Sequence, residues 1–437
     1  MTFTLMDLGT AYRKAKVDLY YSTNPSLVQI ADYEVDLEAK LTNLLLRING
    51  ESEAWVCEPV FTGTYTFLPK SVGFKSEGKM KGGAKFSNPA AAWRDACEEV
   101  GSPGAARPVA EFRLTAQCTL DFHVLSSLWI AKVGHRFDEC LTSSAYGNRL
   151  RRKKDKEVNA LSLGSFSPYL APFQKWRDNG LNAMRSALTE GKNVVALTAD
   201  VTSFYHQLDP GFLLNFDFQR MLKLDLSPAE QKLNRLFVGA LKAWAEASVL
   251  GRGLPVGLPA SAVVANMALI ELDRIVEKEL VPLYYGRYVD DIMLVMENGS
   301  GFKNSADVWN WIFKRADKKL KWEDVASLNE DETAGVVFES FYLKDSEIHF
   351  SNEKNRVFLL EGESGLVMVE SIERQVHERA SEWRSLPNLP ERAGAIATDM
   401  VAATQTDGEL ADNLRKADSL TMRRAGVRLE APQLRSL

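Results

Sequence analysis

Asp290 and Asp291 stand side by side in Tyr288-Val289-Asp290-Asp291, and a third aspartate, Asp200, closes the apolar run VVALTAD. Adjacent carboxylates repel each other and gain nothing from the apolar segments PLYYGRY and IMLVM on either side. A solvated turn is the plain alternative, since Asp is common in turns. A tight turn with positive φ ordinarily takes Gly or Asn, however, and this one has neither. Carboxylates at the ends of two adjacent strands suit Mg²⁺, which takes one or two of them and completes its shell with substrate phosphates and water. Two such ions about 3.5–4 Å apart can activate an attacking hydroxyl and stabilise a leaving pyrophosphate. Phosphoryl transfer asks a protein for little beyond this positioning and charge neutralisation.

The elements that must carry these residues are readable in outline. NVVALTADV is a short β-branched run, a buried strand ending at Asp200. PLYYGRY and IMLVM read as a hairpin around the acidic turn, and EIHFSNEK with RVFLLEG as a second hairpin. SPAEQKLNRLFVGALKAWAEAS predicts a helix, with Ser227 and Glu230 as a capping box. GRGLPVGLPAS is a Gly/Pro loop, after which AVVANMALIELDRIVEKEL resumes as helix. Upstream, residues 1–60 carry helical spacing. Residues 70–108 read as a mobile loop around one short helix, punctuated by Gly, Pro, Ser and Lys. FHVLSSLWIAKVGHRF predicts a buried helix, and SPYLAPFQKWRDNGLNAMRSALTEG a loop entering another. Beyond about residue 369 the pattern is helices with Pro and Gly breaks.

Composition narrows the partners. The 437 residues carry a net charge of −5, which at first sight argues against nucleic acid. Local charge matters more than the sum. YGNRLRRKKDKE, residues 146–157, holds six basic and two acidic residues, and VGFKSEGKMKGGAK four lysines among glycines. A third basic group is Arg415, Lys416, Arg423, Arg424 and Arg428. Each cluster alone is equally a solvated face. Four widely spaced cysteines, with no CxxC pair, do not resemble a zinc site or a disulfide framework, which makes a reducing compartment the expectation. With no apolar leader and no apolar run of about 18 residues, the expectation is a cytoplasmic chain without a membrane span.

The order TADVTSFYHQLDP, GLPVGLPASAVVAN and GRYVDDIMLV resembles palm motifs A, B and C of reverse transcriptases, well over residues 195–300 and more weakly from 146 to about 362. SAYGNRLRR, SPYLAPFQKWRDNG and a compact C-terminal region are similar in style to the defence-associated and abortive-infection reverse transcriptases of bacteria. The resemblance implies an α/β right-hand polymerase with an antiparallel-sheet palm over 195–362, including finger insertions. Fingers would occupy 109–194 and a helical thumb-like region 363–437. Residues 1–108 would be a helical N-terminal extension with a basic Gly-rich loop. The implied activity is RNA-directed DNA polymerisation with Mg²⁺, for which Mn²⁺ can substitute. Implied partners are a noncoding RNA template, the DNA product, dNTPs, and a partner polymerase subunit or further copies of the chain. Template or primer would be a structured RNA or a protein hydroxyl, in antiviral defence.

Residue by residue, the resemblance assigns the metal set to Asp200, Val201, Asp290 and Asp291, with Asp290 and Asp200 as principal carboxylates. Tyr205 matches the steric gate, an aromatic ring that collides with a ribose 2′-OH, and one of Phe204 and Tyr205 must face the core. Backbone N–H groups from Val201 to Tyr205 could cradle triphosphate oxygens. Gly257, Ser261 and Asn266 match the nucleotide-contacting motif B, although Val256 stands where many relatives place Gln. Lys354 is the candidate proton donor to pyrophosphate. Arg149, Lys175 and Arg177 are candidate phosphate or template contacts, because a guanidinium fork binds phosphate bidentately. Trp176 is the one tryptophan suspected of stacking on a base. Two other readings stay open: an RNA-dependent RNA polymerase, and a catalytically silent palm that binds RNA as a scaffold.

Overall fold

The computed structural model describes residues 3–20, 27–76, 79–84, 94, 107–153, 158–159, 161–162, 164–323, 334–350 and 355–384. Helical spacing near the N-terminus becomes α1 (Leu5–Tyr20), α2 (Leu27–Val35) and α3 (Leu37–Asn49). Three strands follow, β1 (Thr64–Ser76), β2 (Lys79–Ala84) and β3 (Arg107–Gln117), then helix α4 (Leu120–Trp129). Next come α5 (Leu170–Thr189), β4 (Val194–Asp200), α6 (Pro228–Ala247), α7 (Pro259–Ala268) and α8 (Ile270–Ile275). The chain continues through β5 (Tyr284–Tyr288), β6 (Asp291–Glu297), α9 (Ser305–Arg315), β7 (Leu320–Trp322), β8 (Val336–Phe338), β9 (Ile348–Phe350), β10 (Arg356–Leu360) and α10 (Gly362–Arg384). The result is a mixed α/β fold with antiparallel sheets. Two compact units are distinguishable, residues 1–68 with 113–365, and residues 69–112 with 366–437.

In the first unit the sheet order is β10-β4-β6-β5, antiparallel throughout. β4 is central, and residues 194–197 are all buried, which is why its apolar residues run on without alternation. α5 packs on β4, β5 and β6 through Trp176, Gly180, Leu181 and Met184. Gly180 allows this close approach, since a Cβ there would press on the Met293 side chain and lie 3.1 Å from Tyr284 Cε1, and both side chains would have to give way. α6 opens as expected, with Ser227 and Glu230 forming a reciprocal capping box and Pro228 in its first turn. α4 is capped by Thr119, which accepts from Phe122 N at 3.2 Å, and is buried along its length.

Two expectations are corrected. Residues 70–108 are not simply a loop: β1 and β2 pair antiparallel from Val72↔Ala84 to Ser76↔Lys79, and β3 joins the same sheet. Lys and Gly mask the strand pattern there, but backbone pairing does not need an apolar face on each strand. The second expected hairpin does not form. β9 pairs with β8 through Phe338↔Ile348, whereas β10 lies on the edge of β4 through Val357↔Leu197.

The N-terminal helix acquires a structural place that sequence did not assign it. Lys14 Nζ, buried, donates to the carbonyls of Asn159, Ser162 and Gly164 at 2.8, 2.6 and 2.8 Å, and to Ser162 Oγ at 2.7 Å. Asp18 accepts from Ser165 N and Oγ at 3.2 and 2.8 Å. A buried ammonium survives only with its donors satisfied, so α1 fixes the loop that follows the basic stretch. The thumb-like region expected over 363–437 falls outside the described residues beyond Arg384.

Candidate active site

The sheet register brings the aspartates together. Asp200, the last residue of β4, lies directly opposite Asp291, the first of β6. Cross-strand partners share one face of a sheet. Tyr288 pairs with Asp291, which leaves Val289 and Asp290 as a two-residue hairpin loop. The Asp290 carbonyl accepts from Val201 N at 3.4 Å, joining the turn to the chain just past Asp200. Asp200 and Asp290 are half-buried, while Asp291 is exposed.

This turn is strained. Val289 has φ +62°, the sign that glycine normally supplies at the first loop position of such a hairpin. A β-branched residue in that region costs on the order of 1–3 kcal/mol and persists only where its surroundings over-determine it. Here two neighbours do so. Arg287 Nη1 donates to the Val289 carbonyl at 3.1 Å. Gly147 lies flush on the turn, where a Cβ would meet Val289 N and Cγ2 at 2.8 Å and Tyr288 Cδ1 at 3.0 Å. Gly147→Ala must therefore displace the turn and with it Asp290. A misplacement near 1 Å is enough to cost about 10²-fold in rate, so steady-state incorporation by this variant should fall by about that factor. Incorporation at the wild-type rate would show that the turn tolerates the shift.

Tyr205 faces the same place. Its pKa lies above the usual phenol value, chiefly through burial and then through the charge of Asp290. Phe204 beside it is 2% exposed, so of the adjacent rings Phe204 belongs to the core. Leu254 N donates to the Tyr205 carbonyl at 2.7 Å, tying the Gly/Pro loop before α7 to residue 205. Gly257 is exposed with φ +112°, a backbone conformation that calls for glycine. Val256, which departs from the common motif, presents its carbonyl to Ala116 N of β3 at 2.9 Å.

Several other expected contacts turn inward. Val201 N and Thr202 N donate to the carbonyls of Asp290 and His349, so these two do not contribute to a triphosphate cradle. Ser261 is buried and its hydroxyl donates to Pro255 O at 2.9 Å. Asn266 is fully buried, with its amide shared between Arg287 and the Gly147 carbonyl rather than presented to a nucleotide. Arg149 spends its guanidinium on Asp138 and the carbonyls of Thr142, Ala145 and Asp138. Charge type alone could not reveal that these side chains point inward. Arg177 pairs with Asp178 at 3.0 Å. Lys175 lines an open cleft with Tyr146, Asn179, Glu277 and Tyr284, at the end of β5 away from the acidic turn. Trp176 is packed between Phe173 and Tyr288, with centroids 5.6 and 6.2 Å away, and is core. Lys354 lies outside the described residues.

Sequence reasoning missed Arg287 and Asp273. Arg287 is 0% exposed, and Asp273 beneath it likewise. Nε donates to Asp273 Oδ1 and Oδ2 at 2.7 and 3.0 Å, and Nη2 to Asp273 Oδ2 at 2.9 Å. Tyr285 Oη adds a third donor to Asp273 at 2.7 Å. The available signal was an arginine inside an otherwise apolar and aromatic strand, which requires a buried counter-charge.

The donor set fits a hard divalent cation. It is made of carboxylates, without thiolate or imidazole, on two segments joined by the Val201–Asp290 contact. Among the described residues no group of three or more His, Cys, Asp or Glu side chains closes into a cage. Mg²⁺ does not need one, since one or two carboxylates suffice when substrate phosphates complete the shell.

Comparison with known proteins bears on the same residues. No curated protein matches the chain. Residues 109–325 match the family described as reverse transcriptase (RNA-dependent DNA polymerase), a span that includes Asp200, Tyr205, Gly257, Asp290 and Asp291. The chain thus carries a reverse transcriptase domain over residues 109–325 and is, by family, an RNA-directed DNA polymerase, a nucleotidyltransferase.

Proposed function

We propose that this domain extends DNA on an RNA template, with Asp200 and Asp290 as the metal-holding carboxylates, Asp291 as their outer neighbour and Tyr205 as the sugar gate. The observation that carries this reading is the meeting of Asp200 with the strained Val289–Asp290 turn across the β4–β6 register. Bound Mg²⁺ would supply activation of the primer hydroxyl and neutralisation of the leaving pyrophosphate. The chain's own part is to hold carboxylates at one edge of a rigid sheet, where they need not reorganise during reaction. Tyr205, whose phenol feels the charge of Asp290, is the ring we read as the one that would collide with a ribose 2′-OH. That bulk favours dNTP and speaks against the RNA-polymerase reading. Asp200 and Asp291 directly opposite each other in register, with Asp290 next in the chain, speak against a silent scaffold, since like charges placed across two strands are unfavourable.

We also propose a role in bacterial antiviral defence, with a noncoding RNA or a protein hydroxyl as template or primer and an assembly with a partner subunit or further copies. Sequence similarity at SAYGNRLRR and SPYLAPFQKWRDNG supports this part. Cys57, Cys118 and Cys140 are unpaired thiols, in keeping with a reducing, cytoplasmic setting. Among the described residues no helix is long and apolar enough to cross a membrane.

The test is incubation of the purified protein, with co-purifying nucleic acid, with each labelled dNTP and NTP in Mg²⁺ or Mn²⁺. Incorporation of dNTP is expected. Preference for NTP would overturn the gate and favour an RNA polymerase. No incorporation with cellular RNA and partner proteins restored would favour the scaffold.

A further inference from the structure

We propose that the solvent face of α9 is a docking surface for the phosphate backbone of RNA, formed by Trp311, Lys314, Arg315 and Lys318 at the end of the four-stranded sheet away from the acidic turn. It shares with the reading above only that the chain engages RNA.

Asn298, just past β6, donates from its backbone N to the Asn193 carbonyl at 2.7 Å, and Asn193 immediately precedes β4. From there β4 runs to Asp200, about 20 Å away at the rise of an extended strand. Phe302 N is held by Asn298 Oδ1 at 2.8 Å, and the Phe302 ring packs on Trp311 with centroids 5.8 Å apart. α9 therefore starts from the far end of the sheet. It buries Val308, Trp309 and Ile312, which turns Trp311, Lys314 and Arg315 outward at spacings of three and four. The Arg315 guanidinium lies 3.8 Å over the Trp311 ring. Stacking occupies its flat face and leaves the N–H fork at its rim for a phosphate. Asp317 and Lys318 follow with φ +48° and +61°, two successive left-handed residues with side chains, and such strain collects at binding sites. Nearby lysines are already spent, Lys319 on Glu271 and Lys321 on Glu339. Lys314 and Lys318 are exposed and have no such partner among the described residues. Residues 301–322 carry six basic and two acidic side chains in a chain of net charge −5, so attraction for a polyanion must be local. RNA is the partner because a polymerase directed by RNA must hold RNA before any DNA exists.

The test is the salt dependence of binding to a labelled single-stranded RNA, and to single-stranded DNA of the same sequence, beside thermal melting and incorporation. The triple variant Lys314→Gln, Arg315→Gln, Lys318→Gln removes three phosphate contacts. At about 0.7 counterions released per contact, the slope of log affinity against log salt should flatten by about 2. Between about 50 and 200 mM salt, wild type should then lose on the order of 20-fold more RNA affinity than the variant. KM for template RNA should rise while kcat at saturating RNA holds. A control triple, Lys192→Gln, Arg220→Gln and Arg235→Gln, removes the same charge from cations already paired with Glu190, Asp217 and Glu53, and should keep the wild-type slope. An unchanged RNA slope, an equal change in the control, or a change confined to DNA overturns the proposal. So does a lower melting temperature with an unchanged slope, which would leave these cations as complements to the negative end of α9. None of these outcomes bears on the polymerase reading, which incorporation by the wild type tests separately.

Discussion

Asp290→Asn is expected to lower nucleotide incorporation by at least about 10³-fold, equivalent to about 4 kcal/mol of transition-state stabilisation, while the protein stays folded. The substitution keeps shape and volume, and the contact between Val201 N and the Asp290 carbonyl is made by backbone and survives. What changes is the charge beside Asp200 and Asp291. In the free protein its removal relieves repulsion, so the melting temperature should be equal or higher. Only the loaded site suffers, because a neutral amide is a poor ligand for a hard divalent ion. Asp291→Asn provides the contrast. Asp291 sits directly across from Asp200 in register but is exposed, whereas Asp290 projects from the turn and is felt at Tyr205. Primer extension and melting of both variants, with Mn²⁺ binding followed by electron paramagnetic resonance, separate the roles. The larger loss of rate and of Mn²⁺ affinity should come with Asp290→Asn. Equal retention of activity by Asp290→Asn and wild type would remove this carboxylate from the metal set.

How far the site was legible beforehand follows the range of the signals. The strand ending at Asp200, the hairpin around Asp290 and the Ser227 capping box were all visible, because each is written within a few consecutive residues. The order of the three motifs added the one long-range inference that sequence supported, that Asp200 and Asp290 share a site. Sheet order was not written locally. β10 joins the edge of β4 from far along the chain, and periodicity says which face of a strand is apolar but never which strand it will meet. Side-chain direction was equally hidden. Arg149 and Asn266 have the chemistry of ligand contacts, and both are used up inside the protein. The strain at Val289 was partly legible: a tight turn without Gly or Asn was anomalous, and the structure shows the anomaly to be a positive φ on a β-branched residue.

Arg287→Met is expected to destabilise the protein by about 3–5 kcal/mol, the usual cost of leaving one member of a buried ion pair alone. Arg287 and Asp273 are both inaccessible to solvent, and the guanidinium donates to Asp273, Asn266 and Val289 together. Methionine fills similar space but strands the Asp273 carboxylate with Tyr285 Oη as its remaining side-chain donor among these contacts. Replacing Asp273 by Leu at the same time should recover much of the loss, because a buried pair exchanged for apolar groups is often close to neutral. Denaturant midpoints of the single and double variants measure this directly. Activity should not recover with stability. The double variant still lacks the donor to the Val289 carbonyl and the tie to Asn266, so its turn is free to relax from φ +62° and carry Asp290 away. Arg287→Lys makes the same separation from the other side. It keeps the charge that Asp273 needs, but one ammonium cannot span three partners set for a planar fork. Its stability loss should be smaller than that of Arg287→Met, while its loss of incorporation should be comparable. If Arg287→Lys were fully active, or if the stabilised double variant regained wild-type incorporation, the arginine would be a fold element alone. If stability and activity part as expected, the fold keeps a costly buried charge here because it holds a turn where the backbone would not otherwise stay.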